Sequence, residues 1–139
     1  MEREDFDYDP DNPKLRKGAA LVLYGTLLEK GFAEVKDPNM LPPRCQEIVM
    51  EFPVRGSTKH IVRIYTSISP RHSFRAEGKD AIRVVALVRF VGRDGSTRQK
   101  FIGKTKRVNR AGTVWGIVDR TLERAREAYT IALDDFRGR

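Results

Sequence analysis

Residues Ala81 to Val108 read AIRVVALVRFVGRDGSTRQKFIGKTKRV, two β-rich runs around the dipeptide Asp94-Gly95. Asp-Gly between alternating apolar residues predicts a β-hairpin with a two-residue type I′ turn, because both central positions of that turn need φ > 0. Counting outward from such a turn opposes Arg93 to Ser96, Arg89 to Lys100, Val85 to Lys104 and Arg83 to Lys106. Side chains alternate along a strand, so one face gathers Ile82, Val84, Ala86, Val88, Phe90, Phe101 and Thr105. The other gathers Arg83, Arg89, Arg98, Lys100, Lys104 and Lys106 around Val85, Leu87, Val91 and Ile102. Like charges opposed across paired strands repel. A face that keeps them is expected to meet a polyanion.

The flanking segments supply the rest of the fold. Asn12-Pro13 reads as an N-cap followed by a proline at the first helical position, and Gly31 as the residue that ends that helix, over about Pro13 to Lys30. Lys36 to Pro43 is a proline-rich connection. Cys45 to Val54 and Lys59 to Ile68 read as strands joined by Arg55-Gly56-Ser57-Thr58, and Ser69 to Asp80 as a loop. Thr113 can cap a last helix from about Val114 to Phe136, in which Val114, Val118, Leu122, Ala125, Tyr129, Ala132 and Phe136 form an apolar stripe. The order α-β-β-β-β-α with short connections predicts an α+β fold. It has a four-stranded antiparallel sheet, the N- and C-terminal helices on one face, and the basic face left to solvent or ligand. Residues 1–11 read as a disordered acidic arm and 12–139 as a single domain.

Composition narrows the partner. The 139 residues carry a formal net charge of +8, and 33% of them are charged. Between Arg55 and Arg110 there are fifteen lysines and arginines against Glu77, Asp80 and Asp94, whereas the acids before Pro13 face Arg3 alone. A basic middle of this kind points to nucleic acid ahead of an anionic membrane surface. The single cysteine, Cys45, excludes an intrachain disulfide and fits a reducing compartment. The segment MEREDFDYD has neither the basic nor the apolar region of a signal peptide, so the expected location is cytoplasmic, with no membrane partner.

Three groups of residues are candidates for contact with a polyanion. The hairpin offers Arg83, Arg89, Arg98, Lys100, Lys104 and Lys106. The Ser69–Asp80 loop mixes Arg71 and Arg75 with Phe74, and the strand before it carries Arg63 and Tyr65 on one face; cations beside aromatic rings suit unpaired bases. Lys104, Lys106, Arg107 and Arg110 precede the last helix, whose N-terminal amides favour phosphate. Gly103-Lys104-Thr105 resembles the end of a P-loop, but Arg98 stands where the earlier glycine is required. His60 and His72 have no regularly spaced partners, so no catalytic group, metal site or cofactor is expected.

Leu87-Val88-Arg89-Phe90, Arg93-Asp94-Gly95-Ser96, Ile102-Gly103 and the helical stretch Leu122-Glu123-Arg124-Ala125-Arg126-Glu127-Ala128 resemble the core of the Rad-type single-strand annealing proteins, a superfamily of recombination mediators. The resemblance covers about Ala81 to Phe136. It implies single-stranded DNA in a basic groove, strand annealing in recombination, repair or phage replication, and self-association into rings. At the matching positions it implies that Arg89, Arg98 and Lys100 line the backbone path. The helix-strands-helix order is also similar to a double-stranded RNA-binding domain, without the lysine-rich start of that domain's last helix. The expected function is therefore sequence-independent binding of single-stranded DNA, with phosphates held by the hairpin and bases stacked on Phe74 or Tyr65. The alternatives are a double-stranded RNA-binding module and a structural protein that presents the basic face to an acidic partner.

Overall fold

The hairpin of residues 82–101 sets the frame of the molecule, and its loop is one residue longer than a type I′ turn. In the computed structural model, which describes residues 13–35, 49–66, 82–103, 106–108 and 113–138, the elements are α1 (Pro13–Glu29), β1 (Ala33–Glu34), β2 (Val49–Pro53), β3 (His60–Thr66), β4 (Ile82–Val91), β5 (Thr97–Phe101), β6 (Lys106–Val108) and α2 (Val114–Arg137). The strands form a six-stranded antiparallel sheet in the order β1-β2-β3-β4-β5, with β6 pairing to the start of β4. The α+β class holds. The four expected strands become six because the last one is interrupted and a short β1 joins β2. An unbroken ladder from Leu87 opposite Phe101 would set residue 104 opposite Val84, but Lys106 stands there, so the register shifts by two residues between β5 and β6.

The hairpin register also differs from the expected one. Gly92 N–H donates to Ser96 O (2.6 Å), Gly95 N–H donates to Gly92 O (3.0 Å), and Gly95 has φ +83°. This is a three-residue loop, Arg93-Asp94-Gly95, in which only the glycine need be left-handed. The Asp94 carboxylate accepts from the Ser96 hydroxyl (2.6 Å) and the Ser96 N–H (3.0 Å), and the first of these bonds does most to hold its pKa below the ordinary carboxylate value. The extra loop residue places Arg89 opposite Gln99, Val88 opposite Lys100 and Phe90 opposite Arg98. A slip of one residue turns a strand over, so Arg98 and Lys100 leave the face of Arg89 and join that of Val88 and Phe90.

Both helices pack on one face of the sheet, as the apolar periodicity predicts. The core there joins Leu23 and Leu27 of α1, Met50, Val62, Ile64, Val84 and Ala86 of the sheet, and Val114, Ile117, Val118, Ala125, Ala128 and Ala132 of α2. Thr113 caps α2 by accepting from Gly116 N–H (3.2 Å). At the end of α1, Phe32 N–H donates to Leu27 O and Gly31 N–H to Leu28 O, with Gly31 at φ +94°. That pair of bonds and the left-handed glycine make a Schellman motif.

The opposite face is not left to solvent. Val49, Ile61, Tyr65, Val85 and Leu87 form a second buried apolar cluster there. The acidic arm, the proline-rich connection, the Ser69–Asp80 loop with Arg71, Phe74 and Arg75, and Lys104 and Arg110 lie outside the described residues.

Candidate nucleic-acid interface

The register sorts the expected basic residues into distinct environments. Glu51 on β2 and Arg63 on β3 are direct cross-strand partners. Arg63 has no solvent exposure, and a guanidinium so buried needs a counter-ion. Its Nε donates to Glu51 Oε1 (2.7 Å) and a terminal nitrogen donates to the same oxygen. Its other terminal nitrogen donates to Tyr65 Oη (3.0 Å) and Gln99 Oε1 (2.6 Å). Arg89 shares the carboxylate, its terminal nitrogen donating to both Glu51 oxygens. Two guanidinium groups on one carboxylate leave one net positive charge.

Arg63 and Tyr65 are therefore part of the interior, contrary to the expectation that they face a ligand; Tyr65 is 3% exposed, too little for a base to stack on its ring. Arg83 stands opposite Arg107 and Lys106 opposite Val84. The expected pairing of Arg83 with Lys106 is thus also displaced by one residue. The single basic face expected from the hairpin is split between the two faces of the sheet.

Exposed cations line the β5 edge and the neighbouring β2–β3 loop. Arg93, Arg98 and Lys100 are exposed, and β5, TRQKF, contains no acid. Val54 N–H donates to His60 O (2.8 Å), which closes the 55–59 loop, and Arg89 N–H donates to Lys59 O (2.9 Å), which ties that loop to the hairpin. The Lys59 ammonium comes to rest 5.8 Å from the centre of the Phe90 ring, within range of a cation–π contact. Thr58, Lys59, Arg89, Phe90 and Val91 line a cavity of about 250 Å³. Two cations and a hydroxyl can hold a phosphate there, next to an aromatic ring that can take a base. Arg89 Nε in this group has no hydrogen-bond partner. Lys59, Thr58 and the aromatic Phe90 escaped the sequence reading; the signal was the Lys59 carbonyl-to-hairpin bond, which no periodicity reveals.

A second polar chain lies beside this loop. The Ser57 Oγ is 2.8 Å from His60 Nδ1, and His60 Nε2 is 2.7 Å from Asp135 Oδ2 on α2. A carboxylate can only accept, so Nε2 carries the proton of that bond, and in the neutral ring Nδ1 accepts from Ser57. Serine, histidine and aspartate in this order can perform nucleophilic catalysis. Here Ser57 Oγ also accepts from the N–H groups of His60 (3.0 Å) and Lys59 (3.2 Å), and the imidazole is 7% exposed, with Phe136 at 5.4 Å. The chain thus fastens the 55–59 loop to the end of α2. The sequence reading gave His60 no partner because Asp135 lies 75 residues away.

Together these features define an α+β protein with a cationic strand edge and a cavity lined by Lys59, Arg89 and Phe90. No protein-family model, curated protein or solved structure matches the chain. Among the described residues, no helix is long and apolar enough to cross a membrane.

Proposed function

We propose that the protein is a non-catalytic binder of single-stranded nucleic acid that tracks the phosphate backbone along the β5 edge. The observation that carries this reading is the cavity in which Lys59, Arg89 and Thr58 surround Phe90, continued by the exposed Arg93, Arg98 and Lys100. Phosphate contacts supply affinity without reading sequence, and the Phe90 ring supplies a stacking surface that every base can use. Strand annealing, the activity that the Rad-type resemblance implies, is the further step of the same reading.

The test is fluorescence anisotropy with labelled single- and double-stranded DNA and RNA of equal length across a salt series. Engagement of Lys59, Arg89, Arg93, Arg98 and Lys100 predicts a log–log slope of about −3.5 on single strands, at roughly −0.7 per phosphate contact. Tightest binding to single strands with that slope is the expected result. Absence of binding at low salt overturns the proposal, and tightest binding to double-stranded RNA replaces it with the duplex reading. Acceleration of pairing between complementary oligonucleotides tests the annealing step.

A further inference from the structure

We infer that the protein has a second binding site, for a small anionic amphiphile, in the groove between the C-terminal turn of α1, β2 and α2. The groove lies at the β1–β2 side of the sheet, away from the β5 edge, and is independent of the nucleic-acid reading.

Its walls are aromatic. The rings of Phe32 and Phe52 lie 5.2 Å apart and tilted, and Phe52 meets Tyr129 edge-on at 5.9 Å. Val62, Leu122 and Ala125 complete the apolar lining, and the open groove has a volume of about 380 Å³. That is the size of a pocket for a small ligand. The rings are fixed before any ligand arrives. Phe52 Cε2 packs against the backbone of Gly31 so closely that an added Cβ would lie 3.1 Å from it, and the Tyr129 hydroxyl is held by accepting from Arg55 N–H at 3.1 Å. As an acceptor in that bond, the hydroxyl keeps its own proton to donate.

The rim decides the ligand. Lys30 and Arg126 are both exposed there, and no acid lines the groove. Among the described residues neither cation has an acidic partner. An apolar body fills the aromatic box, and one anionic head group meets the two cations and the tyrosine hydroxyl. A cationic amphiphile of the same length would be repelled by the rim. A carboxylate or sulfonate on an aromatic or medium-chain aliphatic body fits both parts.

The full chain is titrated with 1-anilinonaphthalene-8-sulfonate, followed by fluorescence, and the bound dye is competed with dodecanoate below its micelle concentration. The expected result is saturable one-to-one binding, displacement by dodecanoate, and no displacement by dodecyltrimethylammonium. Amide shifts in a 15N NMR spectrum should centre on Phe32, Ala125 and Arg126. Both rim residues are exposed, so the double variant Lys30→Glu, Arg126→Glu should keep the wild-type melting temperature while losing about tenfold or more in dodecanoate affinity. Equal competition by the cationic amphiphile, unchanged affinity in the folded double variant, or displacement of dodecanoate by a saturating oligonucleotide would each overturn the inference.

Discussion

Glu51 and Arg63 face each other across β2 and β3, and the carboxylate is the counter-ion of an arginine with no solvent exposure. Arg89 draws on the same carboxylate from β4. Removing one partner of a buried ion pair leaves an uncompensated charge in a poorly solvating interior. Glu51→Gln should therefore destabilise the fold by about 3–5 kcal/mol, read as a lower midpoint in urea. Arg89 is 21% exposed and can turn to water, whereas Arg63 cannot. Adding Arg63→Met to Glu51→Leu should recover most of the loss, since an apolar pair of similar volume carries no desolvation cost. A Glu51→Gln variant with unchanged stability would show that the carboxylate is not what neutralises Arg63.

The helices and their packing face were legible in the sequence because Pro13, Gly31 and Thr113 mark ends locally and the α2 stripe repeats at helical spacing. The cationic site was legible only in part, because a sheet face depends on register, and register depends on loop length. Reading Asp94-Gly95 as a two-residue turn placed Arg98 and Lys100 beside Arg89, whereas the loop Arg93-Asp94-Gly95 turns β5 over. In the same way, a four-residue loop 55–58 would set residue 50 against Arg63. The five-residue loop puts Glu51 there and buries the arginine. Each difference is one residue: the first carries Arg98 and Lys100 to the other face of the sheet, and the second sets Glu51 and not Met50 against the buried Arg63.

The loop geometry gives a direct check. Gly95 has φ +83° and open space around its α-carbon, so Gly95→Ala meets no clash and suffers only the left-handed backbone penalty. The expected loss is about 1 kcal/mol, with Gly95→Asn losing less. Asp94 should titrate below an ordinary aspartate, and Ser96→Ala should raise its midpoint by removing the hydroxyl bond, the larger cause of the shift. A depressed folded-state pKa means that the loop's contribution is present above the unfolded pKa and fades as pH falls through the folded one. NMR titration of the Asp94 carboxyl carbon follows this. A midpoint indifferent to Ser96→Ala would argue for a different turn.

His60 joins the 55–59 loop to α2 through Asp135. Asp135→Ala strands a buried N–H on the imidazole, at a cost of about 1–3 kcal/mol. The expected kinetic signature is faster hydrogen exchange confined to the Arg55–Lys59 backbone and the last turns of α2. Because Lys59 sits on that loop, the same variant should weaken oligonucleotide binding without altering its salt slope. Exchange that accelerates evenly through the sheet would mean that His60 supports the core at large and not the loop.

Arg63 and the pair Arg98 and Lys100 separate the structural arginine from the ligand-facing cations, although all three were candidates from the sequence alone. Arg98 and Lys100 are exposed on an edge strand without acids, so replacing both with alanine should leave the melting temperature nearly unchanged. It should make the salt slope on single-stranded DNA shallower by about 1.4, two contacts at roughly 0.7 each. Arg63→Met does the reverse: it changes stability, because its partners Glu51, Tyr65 and Gln99 lose a donor. It keeps the slope, because a side chain with no exposure cannot release a counterion from DNA. Measuring both quantities on both variants crosses the two roles. A slope that falls with Arg63→Met and holds with the double alanine variant would place the nucleic acid on the opposite face of the sheet, and the β5 edge would lose its assigned part.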